Sequence, residues 1–309
     1  MQLYTPVTIP APLCPFDASR RYVFMGSCFA QHIGRRFAEA DMQVCVNPLG
    51  PIYSPYVLSK ALEGWECPHA VLGPLGWHTW VTDTSFTKSS AEDAERIAAQ
   101  SVDMLRKSLE SADHLILTFG TNHHYELLST GQPVSNCHKH PGQEFRECVF
   151  SLPRLADQMS ATLDFLFQRN PRLVVTLTVS PYRYQKYGFH ENQLSKATLL
   201  LLADELQQRF PRQVQYFPAY EILQDELRDY RFYAPDMLHP SDQAVQYIQE
   251  RLQQWMTPSL QDYLQQYERL RRFLLHRPFD SADSAYQARV EQIQEQLTAL
   301  RQQYVKSNI

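Results

Sequence analysis

What the chain has little of narrows its class first. Glycine is sparse, 10 in 309 residues, and the 20 prolines form no periodic or low-complexity tract, which excludes collagen-like and linker-like architectures. The six cysteines, at 14, 28, 45, 67, 137 and 148, make no Cys-x-x-Cys pair and no Cys/His spacing of a zinc site, so structural disulfides are not expected. Neither sign of charge dominates: 29 Lys+Arg against 33 Asp+Glu leave a net charge of −4. That balance gives no electrostatic reason to expect a nucleic acid or an anionic membrane as partner. No stretch approaches the roughly 20 apolar residues that cross a bilayer. The opening Met1-Gln2-Leu3-Tyr4-Thr5-Pro6 lacks the basic start of a signal peptide. The expectation is a soluble, reducing, cytoplasmic protein.

What is present is a large apolar fraction, 44% hydrophobic, ample for a core and inconsistent with disorder. Strand and helix patterns alternate, which argues for βαβ units and a mostly parallel sheet. Buried strands are predicted at Arg21–Ser27, Val44–Val46, His114–Phe119, Leu173–Val179 and Val214–Phe217. Helices are predicted at Phe29–Ala40, Ser54–Leu62, Ser90–Ala112, Leu152–Arg169, Glu191–Phe210, Ala219–Leu227 and from a cap at Ser241 to Trp255. Residues 64–88 and the His-rich stretch Thr121–Gln143 carry no period and read as irregular excursions. The predicted fold is a three-layer α/β/α sandwich with a flavodoxin-like sheet, over residues 1–256. Beyond it, Leu260, Tyr263, Tyr267, Leu270 and Leu274 repeat 3-4-3-4, and Tyr286, Val290, Ile293, Leu297, Leu300 and Tyr304 repeat 4-3-4-3-4. Two short apolar seams joined by a Pro-containing connection predict an antiparallel helical hairpin over residues 257–309. It either packs on the main domain or joins two copies as a homodimer, with intramolecular packing the stronger expectation.

Sites in such sheets form at the carboxyl ends of strands. Four places qualify: Gly26-Ser27-Cys28, Asn47 to Gly50, Gly120-Thr121-Asn122-His123, and Asp236 to His239. They supply a nucleophile, amide donors and an Asp/His pair, the parts needed for acyl transfer. A hydroxyl or thiol needs a base such as His239 to take its proton, and a carboxylate such as Asp236 fixes that base in one tautomer. The tetrahedral oxyanion needs fixed donors, which Gly50 and an Asn amide can supply.

These blocks resemble the SGNH (GDSL-like) hydrolase superfamily, and Gly26-Ser27-Cys28-Phe29-Ala30 looks like the name-giving motif of the GSCFA family. Asn136-Cys137-His138-Lys139, Thr178-Val179-Ser180-Pro181 and Glu191 to Lys196 look familial too, as does the run from Tyr216 to Tyr233. The resemblance spans about residues 1–256 and implies an SGNH-type hydrolase of carboxylic esters, small-molecule or carbohydrate, with no cofactor and no metal. An acyltransferase on the same scaffold, or a binding protein with a decayed site, is the alternative. The motif leaves the nucleophile open between Ser27 and Cys28: position after Gly26 favours Cys28, chemical identity favours Ser27. The oxyanion donor is open between Asn122 and Asn136, with Gly50 and His138 beside them. Catalysis implies His239 within hydrogen-bond reach of residue 27 or 28. His123, His124, His138 and His140 fall short of a metal ligand set. Trp77, His78, Trp80 and Asp83 read equally as a substrate cleft or a local core. Arg183 and Lys196 read as surface charges rather than as binders of an anionic substrate group, and Tyr230 and Tyr233 as packing.

Overall fold

A computed structural model describes residues 4–66, 69–275 and 284–305. Cys67 and the connection expected between the two terminal helices lie outside the described residues. β1 (Tyr22–Gly26) leads into α1 (Cys28–Glu39), whose N-cap is Ser27, then β2 (Val44–Val46) and α2 (Pro55–Glu63) with proline in its first turn. A small hairpin, β3 (Val71–Gly73) and β4 (Gly76–His78), precedes α3 (Ala91–Ser111), where Ser90 accepts from the Asp93 N–H and donates to the Asp93 carboxylate. β5 (His114–Phe119) is followed by β6 (His123–Leu127), β7 (Pro133–Val134) and β8 (Phe145–Val149). Then come α4 (Leu152–Arg169), β9 (Val174–Val179), α5 (Phe189–Arg209) and β10 (Val214–Tyr216). α6 (Ala219–Glu221) runs on as a π-turn, and α7 (Asp242–Leu252), α8 (Pro258–Leu275) and α9 (Ser284–Tyr304) complete the chain.

β2, β1, β5, β9 and β10 form one parallel sheet in that order. Numbered within the sheet this is 2-1-3-4-5, the flavodoxin-like winding, whose order reverses between β1 and β5. The pleat sends alternate side chains to opposite cores. Val23, Met25, Leu115 and Leu117 face α2, α3, α4 and α5, while Tyr22, Phe24 and Ile116 face α1, α7 and α8. The three-layer expectation holds.

Two expectations are corrected. Residues 64–88 contain the β3–β4 hairpin, and the stretch after β5 folds with β8 into a three-stranded antiparallel sheet. Neither was legible as strand: His123-His124-Tyr125-Glu126-Leu127 buries His124 and Glu126, polar residues that break the apolar alternation a strand is recognised by. The terminal seams do form a helix pair, antiparallel because Tyr263 meets Tyr304 and Phe273 meets Tyr286. α8 packs against the chain's own body: Leu260 and Tyr263 are fully buried, the Tyr263 hydroxyl donates to the Ala40 carbonyl, and Tyr267 reaches Asp41. Among the described residues, no helix is long and apolar enough to cross a membrane.

Candidate active site

β1 ends at a glycine for a steric reason. Gly26 has φ +128°, and a Cβ there would lie 2.2 Å from the Thr118 carbonyl oxygen of the adjacent strand, so only glycine lets β1 turn off here. Its N–H donates to Asn47 Oδ1 at 2.9 Å, tying the first two site blocks together. Ser27 follows, 2% exposed, its Oγ accepting the Phe29 N–H at 3.2 Å as the cap of α1. Cys28 is the first residue of that helix, half-buried, with Sγ 3.5 Å from the Tyr53 hydroxyl.

Across the cavity, the loop from Ala234 to Pro240 turns tightly. Met237 takes φ +58°, its N–H donates to the Ala234 carbonyl, and Ala234 N–H donates to the His239 carbonyl. Asp236 Oδ1 accepts the N–H groups of Leu238 and His239, and Oδ2 lies 2.5 Å from His239 Nδ1. These bonds, the His239 ring first, hold the Asp236 carboxyl down to about 2. The pair is open to solvent, with side chains 53% and 44% exposed for His239 and Asp236. With Nδ1 on the carboxylate, Nε2 is the nitrogen left for a reactant. The Arg183 guanidinium donates to the Met237 carbonyl while lying over the rings of Phe189, Tyr230 and Tyr233. It braces this loop and is not an idle surface charge; Tyr230 is itself 64% exposed.

Ser27, Cys28, His239 and Asn136 line one cavity of about 670 Å³ at the switch point of the sheet, with Tyr53, Tyr182, Tyr184 and Tyr187 forming much of its wall. The expected hydrogen bond from His239 to residue 27 or 28 is not made. Ser27 caps its helix, the Cys28 thiol turns to Tyr53, and the Tyr182 ring packs on His239 with centroids 4.3 Å apart.

The oxyanion candidates separate. Asn136 is in the cavity wall, its Oδ1 accepting the His138 N–H at 2.8 Å. Asn122 is 5% exposed, outside the cavity lining, with its N–H on Ser195 Oγ. Gly50 does not line the cavity, and its N–H is used by the Asn47 carbonyl at 2.8 Å; its φ of +84° serves the turn. His138 is fully buried, stacked on His78 with ring centroids 3.8 Å apart and bonded to the Thr82 carbonyl through Nε2. It is a structural residue of a cluster with Trp80 and His140, where burial pushes the His78 imidazole down to about 4. The Trp77–Asp83 segment is therefore a local core; none of its residues lines the cavity.

Lys196 is the largest departure from expectation. It is 1% exposed and donates to the carbonyls of Gly120 and Ser180 at 2.6 and 2.7 Å, pinning the ends of β5 and β9 under the cavity floor. Burial lowers its ammonium to about 7. The helical spacing of Asn192, Ser195 and Lys196, all buried on one face of α5, was the available signal. The cavity tyrosines were missed because three of them, Tyr182, Tyr184 and Tyr187, sit in the turn after β9, where only the rule of strand ends points to them.

Residues 21–252 match the model of the GSCFA family, most of the chain, and the chain belongs to that family. Among solved structures, it is similar to one described as "the structure of a putative platelet activating factor from Streptococcus pneumonia", at 11% identity and TM-score 0.39, covering 80% of this chain and 84% of that one. No curated protein matches.

Proposed function

We propose that this GSCFA-family chain is an SGNH-type acyl-transfer enzyme that hydrolyses carboxylic esters, with Cys28 as nucleophile, His239 as base and Asp236 as its orienting carboxylate. The observation that carries the reading is one cavity lined by both Cys28 and a His239 whose Nδ1 is already held by Asp236. Cys28 is favoured over Ser27 because Ser27 is 2% exposed with its Oγ accepting the Phe29 N–H as the helix cap, whereas the thiol stands half-exposed at the positive end of α1.

In this scheme Nε2 of His239 takes the thiol proton as Sγ bonds to the ester carbonyl carbon. The Asn136 amide and the Cys28 N–H, in the first turn of α1, stabilise the oxyanion. The C–O bond breaks, the alcohol leaves with the proton from His239, and a thioester remains. Water then attacks the thioester with His239 as base, giving the carboxylic acid and the free thiol. Transfer to another alcohol would use the same thioester. The side-chain gap between His239 and Cys28 favours a decayed site on its own; catalytic hydrogen bonds are often loose before substrate binds, and the covered α8 seam argues against a recruiting hairpin.

The test is p-nitrophenyl acetate turnover with burst kinetics for the wild type, Ser27→Ala, Cys28→Ala and His239→Ala, each checked for folding. The expected result is a burst in wild type and Ser27→Ala, lost in the other two. An inert wild type, or a burst that survives Cys28→Ala and His239→Ala, overturns the reading.

A further inference from the structure

The stretch after β5 holds a second group of reactive side chains that the acyl-transfer scheme does not use. In the β6–β8 ladder His124 pairs directly with Cys148, and Glu126, two residues on, lies on the same face of the strand. One ring nitrogen of His124, a carboxylate oxygen of Glu126 and Sγ of Cys148 all lie within 4.8 Å of one another. His124 and Glu126 are 3% and 7% exposed, and Cys148 is half-buried.

We infer that His124, Glu126 and Cys148 form a binding site for a divalent, borderline-soft metal ion, best matched by zinc, with a fourth position open to water or a small anion. Nitrogen, carboxylate oxygen and thiolate are the donor set such an ion selects. His124 Nε2 and Glu126 Oε1 stand 3.2 Å apart, and two ligands at zinc's bond length of about 2.0 Å with a tetrahedral angle are about 3.3 Å apart. The thiolate and the carboxylate bring two negative charges to the ion, the carboxylate shared with the Arg146 guanidinium.

The surroundings are those of a ligand set held in place. Glu126 Oε2 accepts from the Arg146 guanidinium at 2.6 Å, which fixes the carboxylate and leaves Oε1 turned to His124. The His124 ring is packed against Tyr56 and Phe150, with centroids 4.7 and 4.4 Å away, an apolar shell around the ion. His124 also lines the catalytic cavity, which puts the ion in the cavity wall. The sequence expectation that the histidines lacked companions missed this set because Cys148 arrives from another strand, 24 residues on.

The inference is independent of the esterase reading, and its test does not use activity. The full chain is stripped with a chelator, reloaded with Zn²⁺, desalted and analysed for bound metal; Co²⁺ loading then reports a thiolate charge-transfer band and tetrahedral d–d bands. The expected result is one equivalent of zinc per chain, with affinity at least about tenfold lower in Cys148→Ser and Glu126→Gln and the thiolate band lost in Cys148→Ser. A wild type that retains no stoichiometric zinc overturns the site whatever the variants do. So does a thiolate band that survives Cys148→Ser, or zinc that is lost in His140→Ala, which would assign the ion to the neighbouring His78–His140 pair.

Discussion

Two of the histidines that line the cavity are each held by a carboxylate, and they differ in freedom. His239 and Asp236 ride on a tight loop before α7, both side chains near half exposed, with Nε2 of the ring uncommitted. His123 sits on β6 with its side chain 10% exposed, Nδ1 on Glu147 at 3.1 Å and its ring stacked 3.8 Å from Tyr187. Burial lowers the His123 pKa, disfavouring the charged ring. The same pair of residue types thus stands open to solvent in one wall and is fixed as a panel in the other. Local packing, not composition, separates the two settings.

The comparison breaks most visibly in kinetics. Cys28→Ala and His239→Ala are expected to lower kcat/KM for p-nitrophenyl acetate by at least about 10³-fold, while His123→Phe, which keeps the stacked ring, changes it less than about tenfold. Equal losses at both histidines would erase the distinction. Asp236→Asn removes the anchor of Nδ1 and is expected to cost about 10²-fold or more in kcat with KM little changed.

The same carboxylate makes a prediction about stability. Its folded pKa, about 2, lies below the ordinary 3.8, so its stabilising contribution is present above 3.8 and is lost as pH falls toward 2. The gap in urea midpoint between wild type and Asp236→Asn should therefore close across that window.

Lys196 moves stability in the same direction over a higher window. Its folded pKa of about 7 lies below the ordinary 10.5, so between those values the unfolded chain binds more protons and stability rises with pH. Lys196→Met, which keeps an unbranched apolar stem, should lose that rise relative to wild type in urea titrations across the window. The smallest effect is expected at Ser27→Ala, about 1 kcal/mol of stability from the lost cap, with kcat within a few-fold of wild type. A collapse of kcat there would return the nucleophile to Ser27.

Periodicity carried the sheet and its flanking helices, since Val174–Val179 and His114–Phe119 are apolar runs and α3 announces itself with Ser90 and Asp93. The loop pair Asp236 and His239 was legible because three residues of spacing suffice for one turn to hold both groups. The β6–β7–β8 sheet was not: its inward residues are His124 and Glu126, whose burial depends on Arg146 and Cys148 of a strand far along the chain. Lys196 misled for the same reason, because a lone lysine reads as exposed until Gly120 and Ser180 offer it carbonyls.

By itself the sequence determined the alternation of strand and helix, the glycine at the end of β1, and the four blocks, three of them at strand ends, from which an acyl-transfer site could be assembled. Those are local properties, fixed by spacing, by β-branched runs and by the one residue type that tolerates φ +128°. The tertiary structure decided which donors reach the cavity: Asn136 lines it, whereas Asn122 and Gly50 do not. It also decided that Ser27 caps a helix while Cys28 meets the open space. Such choices depend on where neighbouring strands and loops come to lie, and a hydrogen bond or a contact between residues distant along the chain has no signature in the spacing of either one.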